Sequence, residues 1–233
     1  MRRIAESMLL GGFGAMFLYM YYSGDIALYI HPRFHLITLI TGFVLAGLAL
    51  ARLLISGQSG CTPLNPVNYS LFLLPLLLVL LLPSRVLDTG MASRRGIVLE
   101  APAIIASWRI PVVGILRLDS ANYLDVLTQL YQQPSRYKGR AIQLEGFVFQ
   151  PEEYGENTFI TARFAISCCI ADATVVGFLA KWPQAATPEE NQWVRLTGLV
   201  TPRLVNGQLI PMLEVYELEL IDPLPSPYVF INY

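Results

Sequence analysis

Residues 1–82 carry almost no charge, and no other feature of the chain limits its fold as strongly. The charged residues in this stretch are Arg2, Arg3, Glu6, Asp25, Arg33 and Arg52. All the others among the 16 Lys and Arg and the 17 Asp and Glu follow residue 82. Charged residues make up 14% of the chain, against about 25% in an average globular protein. This split predicts a membrane anchor over residues 1–84 and a water-facing domain after it.

Three apolar runs in the anchor are candidate membrane helices, at about residues 7–30, 34–55 and 67–83. A helix needs about 20 mainly apolar residues to cross the roughly 30 Å hydrocarbon layer. The first two runs meet that length. The third is shorter and contains Pro75, so a crossing, a re-entrant segment and a buried helix are all open for it, and its leucine density favours a crossing. We therefore expect a multi-pass protein of the cell membrane, embedded in the lipid bilayer.

Basic residues near the helix ends predict the orientation of the anchor. A cytoplasmic N-terminus places Arg2, Arg3 and Arg52 inside, and three crossings then put the C-terminal domain on the external side. Four arginines oppose this orientation because they would then lie outside: Arg33, Arg85, Arg94 and Arg95. The basic N-terminus usually dominates. We therefore expect an external C-terminal domain.

Small residues four positions apart recur in the first two apolar runs, as Gly11 with Ala15, Gly42 with Ala46 and Gly47 with Ala51. Such pairs let helix backbones approach closely in lipid. They favour packing among the chain's own helices, and docking to the helices of a partner is the alternative.

The water-facing half begins with a connector over residues 85–110, and a β-rich domain follows over residues 111–233. Asp119 or Ser120 can cap a helix that runs to about Gln133. Four apolar residues recur on one face of that helix at helical spacing, namely Leu124, Leu127, Leu130 and Tyr131.

Five β runs follow the helix: Ala141–Gln150, Thr158–Cys169, Thr174–Trp182, Gln192–Thr201 and Pro211–Ile221. The dipeptide Asn206-Gly207 between the last two runs is a strong hairpin signal. One helix followed by five strands predicts a small OB-like barrel, with a β-sandwich as the alternative. The fold class is therefore a membrane α-helical anchor plus a β-rich C-terminal domain.

Two adjacent cysteines, Cys168 and Cys169, are the most unusual local feature of the domain. Neighbouring residues of a strand point to opposite faces, so we expect one thiol in the core and the other near Asp172. Two thiolates and a carboxylate are ligands for a soft or borderline metal ion, whereas thiol reactivity would need a lowered pKa, and Arg163 is the only local cation. The open interpretations are structural packing, metal or thiol chemistry at Cys168, Cys169, Asp172 and Arg163, and partner contact.

Two classes of function are disfavoured by the sequence. The Lys and Arg of the domain are scattered and balanced by acids, so we expect no nucleic-acid partner. The chain has no Gly-rich phosphate loop, no nucleophile elbow and no paired-His zinc motif, and both of its histidines, His31 and His35, lie in the anchor. We therefore expect a protein that is not an enzyme and has no cofactor beyond a metal ion.

Several segments resemble the YcgQ-like family of bacterial membrane proteins, described as proposed permease subunits. They are His31-Pro32-Arg33 between the first two helices, the Leu-rich segment ending at Pro83, Arg163-Phe164 ahead of Cys168-Cys169-Ile170-Ala171-Asp172-Ala173, Trp193–Gly198, and the Pro-rich end Ile221–Val229. The resemblance implies an integral membrane protein that works beside a separate multi-span permease.

This chain departs from the family in the loop between the second and third helices. Many relatives carry a run of His and acidic residues there, whereas residues 56–63 of this chain contain neither. The departure argues against metal buffering by that loop. The main hypothesis is thus an accessory subunit of a two-component permease, and the alternative is a membrane-tethered thiol or metal-binding protein that acts alone.

Overall fold

The computed structural model describes residues 2–55, 66–81, 97–98, 114–150, 154–155, 157–184, 187–205 and 207–231. The chain divides into two compact units, residues 1–86 and 87–233. The predicted connector, residues 85–110, lies almost wholly outside the described residues, and Cys61 lies outside them as well.

The described part of the N-terminal unit has the α-helices α1 (Arg2–Ser23), α2 (His35–Leu54) and α3 (Pro66–Leu81). The first two are long and apolar enough to cross a membrane, as the sequence predicts. α1 ends earlier than its apolar run, because Gly24 takes a left-handed conformation with φ of 83° and a short 3-10 helix follows at Asp25–Leu28. α3 has 16 residues and includes Pro75.

Small residues bring α1 and α2 together. A Cβ atom built on Gly14 would lie 3.0 Å from the Gly42 carbonyl oxygen and 3.0 Å from the Ala46 nitrogen, so glycine is required for this approach. The pair Gly42 and Ala46 therefore serves packing within the chain. Gly47 differs, because a Cβ atom there would have no described atom within 4 Å.

The two helices are antiparallel. Glu6 near the start of α1 forms an ion pair with Arg52 near the end of α2, at 3.1 Å between the Glu6 Oε2 and Arg52 Nη1 atoms. Arg3 donates to the Ile55 carbonyl at 3.3 Å. The basic residues Arg3 and Arg52 thus lie at the same end of the helix pair.

In the described residues, the C-terminal unit is a mixed β-sheet with a ten-residue helix. Its strands are β1 (Ile97–Val98), β2 (Leu116–Arg117), β3 (Ala141–Phe149), β4 (Thr158–Ile166), β5 (Thr174–Lys181), β6 (Trp193–Val205), β7 (Gln208–Ile221) and β8 (Tyr228–Phe230). The helix, α4 (Tyr123–Gln132), precedes β3. One helix followed by five main strands, β3 to β7, agrees with the order that the sequence predicts.

Each of the five main strands pairs with two others of the five. β4 pairs with β3 and β5, and β6 pairs with β3 and β7, all antiparallel. β5 and β7 pair in parallel. The short strands β1, β2 and β8 add parallel pairings to β5, β3 and β4. The sheet therefore mixes parallel and antiparallel neighbours.

The predicted hairpin at Asn206-Gly207 is confirmed, because β6 and β7 stay paired up to Val205 and Gln208. Both strands run longer than predicted. The sequence-based bounds stop near Pro202 and Pro211, whereas the structure places these two prolines opposite each other. A proline has no N–H to donate, so two opposed prolines leave one step of the ladder without a bond but do not end it.

The helix α4 packs on the sheet and contributes its apolar face to the core. Leu124, Leu127, Leu130 and Tyr131 are all buried, as their spacing predicts. The Tyr131 hydroxyl donates to the Gly177 carbonyl of β5 at 3.0 Å and ties the helix to the sheet. The helix begins at Tyr123, later than predicted, but Asp119 makes the bonds of a capping residue one turn earlier: its carboxylate accepts from the Ala121 and Asn122 N–H groups, and its carbonyl accepts from the Tyr123 N–H.

Candidate functional site

The two adjacent cysteines lie in a turn after β4, and the expectation that one thiol enters the core is wrong. β4 ends at Ile166. The Asp172 carboxylate accepts hydrogen bonds from the Ser167 N–H at 3.1 Å and the Cys168 N–H at 2.7 Å. These bonds close a turn in place of the ladder, so the face alternation of a strand no longer applies. Cys168 is exposed and Cys169 is partly exposed.

The cysteine turn, defined as Ser167 to Asp172, favours the protonated form of the Cys168 thiol. Hydrogen bonding to Asp172, then to Cys169, raises the pKa of the Cys168 thiol to about 11. Burial alone would raise the pKa of Asp172, but bonds from the Cys168 thiol and from backbone N–H groups outweigh it and lower that pKa. Because the thiolate is the nucleophile, Cys168 is not activated at neutral pH.

The two sulfur atoms are 3.7 Å apart. Two thiolates on a tetrahedral zinc ion, with Zn–S bonds of about 2.3 Å, are separated by about 3.8 Å. The pair therefore has the spacing of two metal ligands. Asp172 is already engaged by backbone N–H groups, and the described residues contain no group of three or more His, Cys, Asp or Glu placed to hold a metal ion. A metal site at Cys168, Cys169 and Asp172 stays a prediction.

Arg163 contacts residues outside the cysteine turn. Its side chain is buried within β4, with the residue 2% exposed. Nη2 donates to the Ser226 carbonyl at 2.8 Å and to the Ser120 hydroxyl at 3.1 Å, and Nε donates to the Pro227 carbonyl at 3.4 Å. These bonds join β4 to the segment before β8 and to the turn before α4.

The guanidinium also lies over the Tyr123 ring, with Cζ at 5.8 Å from the ring centroid. Burial lowers the pKa of Arg163. Since none of its hydrogen bonds reaches the cysteine turn, the structure separates Arg163 from Cys168, Cys169 and Asp172. The grouping of these four residues by sequence proximity therefore describes two places in the domain.

Arg163 lines a groove of about 740 Å³ that the sequence analysis does not identify. We call it the Arg163 groove. Its walls come from β2, β3, β4, β6, the turn before α4 and the segment before β8, through Arg117, Leu118, Asp119, Ser120, Gln143, Leu144, Glu145, Arg163, Arg195, Leu224, Pro225 and Ser226.

Cross-strand charge pairs form part of this groove. Arg195 of β6 lies directly opposite Glu145 of β3 and Glu219 of β7. It binds Glu145 at 2.8 Å and Glu219 at 2.7 Å. The sequence signal for this groove is the presence of opposite charges on strands that become neighbours. Arg195 can be paired with Glu145 and Glu219 only when the strand register is known.

Comparisons with known proteins support the resemblance drawn from the motifs. Residues 111–231 match the profile of the DUF1980 C-terminal domain, and residues 6–98 match that of the DUF1980 N-terminal domain. The UPF0703 protein YcgQ of Bacillus subtilis is 25% identical over 117 residues, which cover 49% of this chain and 41% of YcgQ.

A protein of Streptococcus mutans serotype c is 29% identical over 119 residues, which cover 50% of this chain and 43% of the relative. Its provisional name is two-component membrane permease complex subunit. The match thus spans less than half the length of either relative. A solved structure of yeast RPA bound to ssDNA aligns with a TM-score of 0.30 and 12% identity, over 50% of this chain and 82% of that chain.

Proposed function

Because this chain belongs to the DUF1980 family in both its N-terminal and its C-terminal domain, we propose that it is a membrane-anchored accessory subunit of a two-component permease complex. The observation that carries the proposal is the match to a relative named as a subunit of such a complex. The partner would be a separate multi-span permease, with which the apolar helices of this chain pack.

The anchor offers a surface for that partner. Phe43 and Leu50 of α2 are seven positions apart, so they share a face of the helix, and they are 55% and 57% exposed. Gly47 lies between them on the same face, with no described atom within 4 Å of its Cβ position. A small residue between large apolar ones allows a second helix to approach closely in lipid.

All three helices cross the membrane in this proposal, and the C-terminal domain is external. The common position of Arg3 and Arg52 at one end of the α1–α2 pair supports placing that end in the cytoplasm. A crossing by α3 would then carry the chain out. Its 16 residues span about 24 Å, so this crossing needs a locally thin bilayer.

The C-terminal domain would act as an OB-like barrel that binds and does not catalyse. The pairing of each of β3 to β7 with two of the others supports a closed arrangement. Both histidines lie in the other unit, so the domain lacks the commonest general base. Arg195 is paired with two carboxylates, and this supports a domain without the long basic track, lined by stacking aromatic side chains, that single-stranded nucleic acid requires.

The proposal is tested by photo-crosslinking in native membranes. A crosslinking amino acid replaces Phe43 or Leu50, and the matched control replaces Ala49, which is 7% exposed and packs on Gly11. We expect an adduct with one multi-span membrane protein from the two exposed positions and none from Ala49. Adducts with lipid alone, together with unchanged transport after deletion of the gene, would reject the permease role.

The topology has its own test, with a membrane-impermeant maleimide on intact cells. A chain that keeps Cys168 as its single cysteine is suitable, because this thiol is exposed. We expect labelling from outside at a pH high enough to populate the thiolate. Protection in intact cells, with labelling after mild lysis, would place the domain in the cytoplasm.

A second candidate function is a thiol or metal-binding protein that acts alone. The 3.7 Å distance between the two sulfur atoms favours it. This function is tested by titrating the full chain with Cd²⁺ and measuring the thiolate-to-metal absorption band. We expect the band to saturate at one ion per chain and to be lost in both Cys168→Ser and Cys169→Ser. A band that is retained in either variant, or no band in the unsubstituted chain, would reject this function.

A further inference from the structure

One guanidinium nitrogen of Arg163 has no partner among the described residues, and the residue lines the Arg163 groove. Nε and Nη2 are bonded to Pro227, Ser226 and Ser120, whereas Nη1 has no acceptor among the residues that the structure describes. Nη1 is not fully buried, and the groove is lined by its residue. Two N–H groups of a buried cation are therefore open to a ligand.

The residues around Nη1 favour an anion. The Ser120 hydroxyl accepts a bond from Arg163, so its own hydrogen is free to be donated. Arg117 at the rim is exposed and has no ion-pair partner among the described residues. Glu145, the nearest acid on β3, is already paired with Arg195. Counting formal charges, the lining holds three arginines against Asp119 and Glu145.

The size and the walls of the groove favour a ligand that is larger than an inorganic ion. About 740 Å³ lies within the roughly 300–1,000 Å³ typical of small-molecule sites. Leu118, Leu144, Leu224 and Pro225 supply apolar wall next to the polar groups. A ligand with an oxyanion at one end and a few carbon atoms at the other would use both parts of the surface.

We propose that the Arg163 groove binds a small organic anion, whose carboxylate or phosphate oxygens accept hydrogen bonds from Arg163 Nη1 and from the Ser120 hydroxyl. Such an anion would stabilise the buried guanidinium charge of Arg163. This charge has lost water on most of its surface, and two of its partners are carbonyl oxygens, which carry no net charge. An oxyanion at Nη1 forms a charge-assisted hydrogen bond and compensates that charge. This site does not depend on the permease role, because it is built within the C-terminal unit alone.

Calorimetric titration of the full chain in lipid nanodiscs tests the site. The probes are butyrate, inorganic phosphate and, as the cationic counterpart of butyrate, butylammonium. We expect saturable binding of butyrate, of phosphate or of both, and none of butylammonium. Butyrate alone would identify an organic carboxylate, and phosphate alone would identify a phosphate group. No saturable binding of either anion, or equal binding of butylammonium, would overturn the proposal.

Variants then place the bound anion in the groove. Arg117→Gln and Ser120→Ala each weaken binding by about 3- to 10-fold, the effect of one exposed charge or one hydrogen bond. The matched control is Arg203→Gln, an exposed arginine of β6 that does not line the groove, and its affinity is unchanged. Arg163→Lys loses most of the affinity. If that variant does not fold, the other two decide, and unchanged affinity in both would overturn the site.

Discussion

Replacing Arg163 by Met is expected to loosen the end of the C-terminal unit. Met has a similar length but cannot donate hydrogen bonds. The change removes the bonds from Nη2 to the Ser226 carbonyl (2.8 Å) and to the Ser120 hydroxyl (3.1 Å), and the longer bond from Nε to the Pro227 carbonyl (3.4 Å). The segment that leads into β8 thereby loses its side-chain connection to β4.

The size of the effect on that segment follows from the short bond to the Ser226 carbonyl. A hydrogen bond to a charged group contributes about 1.5–3 kcal/mol, so the lower value gives a loss of about 1.5 kcal/mol. The bond to Ser120 is left out because it holds the turn before α4, and the bond from Nε is left out because it is long. Since about 1.4 kcal/mol corresponds to a tenfold change in an equilibrium constant, local opening of the segment becomes about 10-fold more frequent.

Hydrogen–deuterium exchange with mass spectrometry measures this opening. In Arg163→Met, peptides that cover residues 226–231 should exchange about 10-fold faster, whereas peptides from β6 and β7 should change little. Arg163→Lys should be intermediate, because it keeps the charge and at least one donor. The matched control, Arg203→Met, removes an exposed arginine that makes a weak 3.7 Å contact with the sulfur of Met212, and we expect no change. Equal exchange of residues 226–231 in Arg163→Met and in the unsubstituted chain would refute the reasoning.

Three further predictions concern the cysteine turn, the sheet and the core. Hydrogen bonding to Asp172 raises the pKa of Cys168, so alkylation of that thiol by iodoacetamide should be slow at pH 8 and accelerate towards pH 11. The variant Asp172→Asn should move this pH–rate profile to lower pH. An unshifted profile would contradict the role given to Asp172. Gly146→Ala should destabilise the chain by about 1–3 kcal/mol in thermal unfolding, because the new Cβ would lie 2.5 Å from a backbone oxygen of the neighbouring strand. The control Gly47→Ala should be neutral or stabilising, because no described atom lies within 4 Å of that Cβ position. Phe178→Ala, at a fully buried position, should cost about 3–5 kcal/mol in urea unfolding, and a loss below about 1 kcal/mol would show that this part of the core is not tightly packed.

Much of the architecture could be predicted because the signals are local. The length and hydropathy of the apolar runs are enough to identify α1 and α2. The spacing of Leu124, Leu127 and Leu130 is enough to identify the buried face of α4. The Asn206-Gly207 dipeptide identifies the β6–β7 hairpin by the same kind of short-range rule. In each case the physical cause lies within a few residues of the effect.

The cysteine turn shows where local rules fail. Face alternation predicts one buried thiol, but it holds only while a strand continues, and Asp172 ends β4 by accepting the N–H groups of Ser167 and Cys168. The sequence places Asp172 four residues after Cys168. It does not show that the carboxylate turns back onto the backbone.

Arg163 shows the same limit over a longer distance. Its position near Cys168 and Cys169 in the chain suggested a common site, whereas its bonds reach residues 43, 63 and 64 positions away. The Arg163 groove is likewise assembled from segments between Arg117 and Ser226 that meet only when the strands pair. The division into an apolar anchor and a β-rich domain can be read from the amino-acid order, because composition and periodicity are local properties. Which side chains share a site depends on the folded chain, because strand register and chain crossing set which distant residues come into contact.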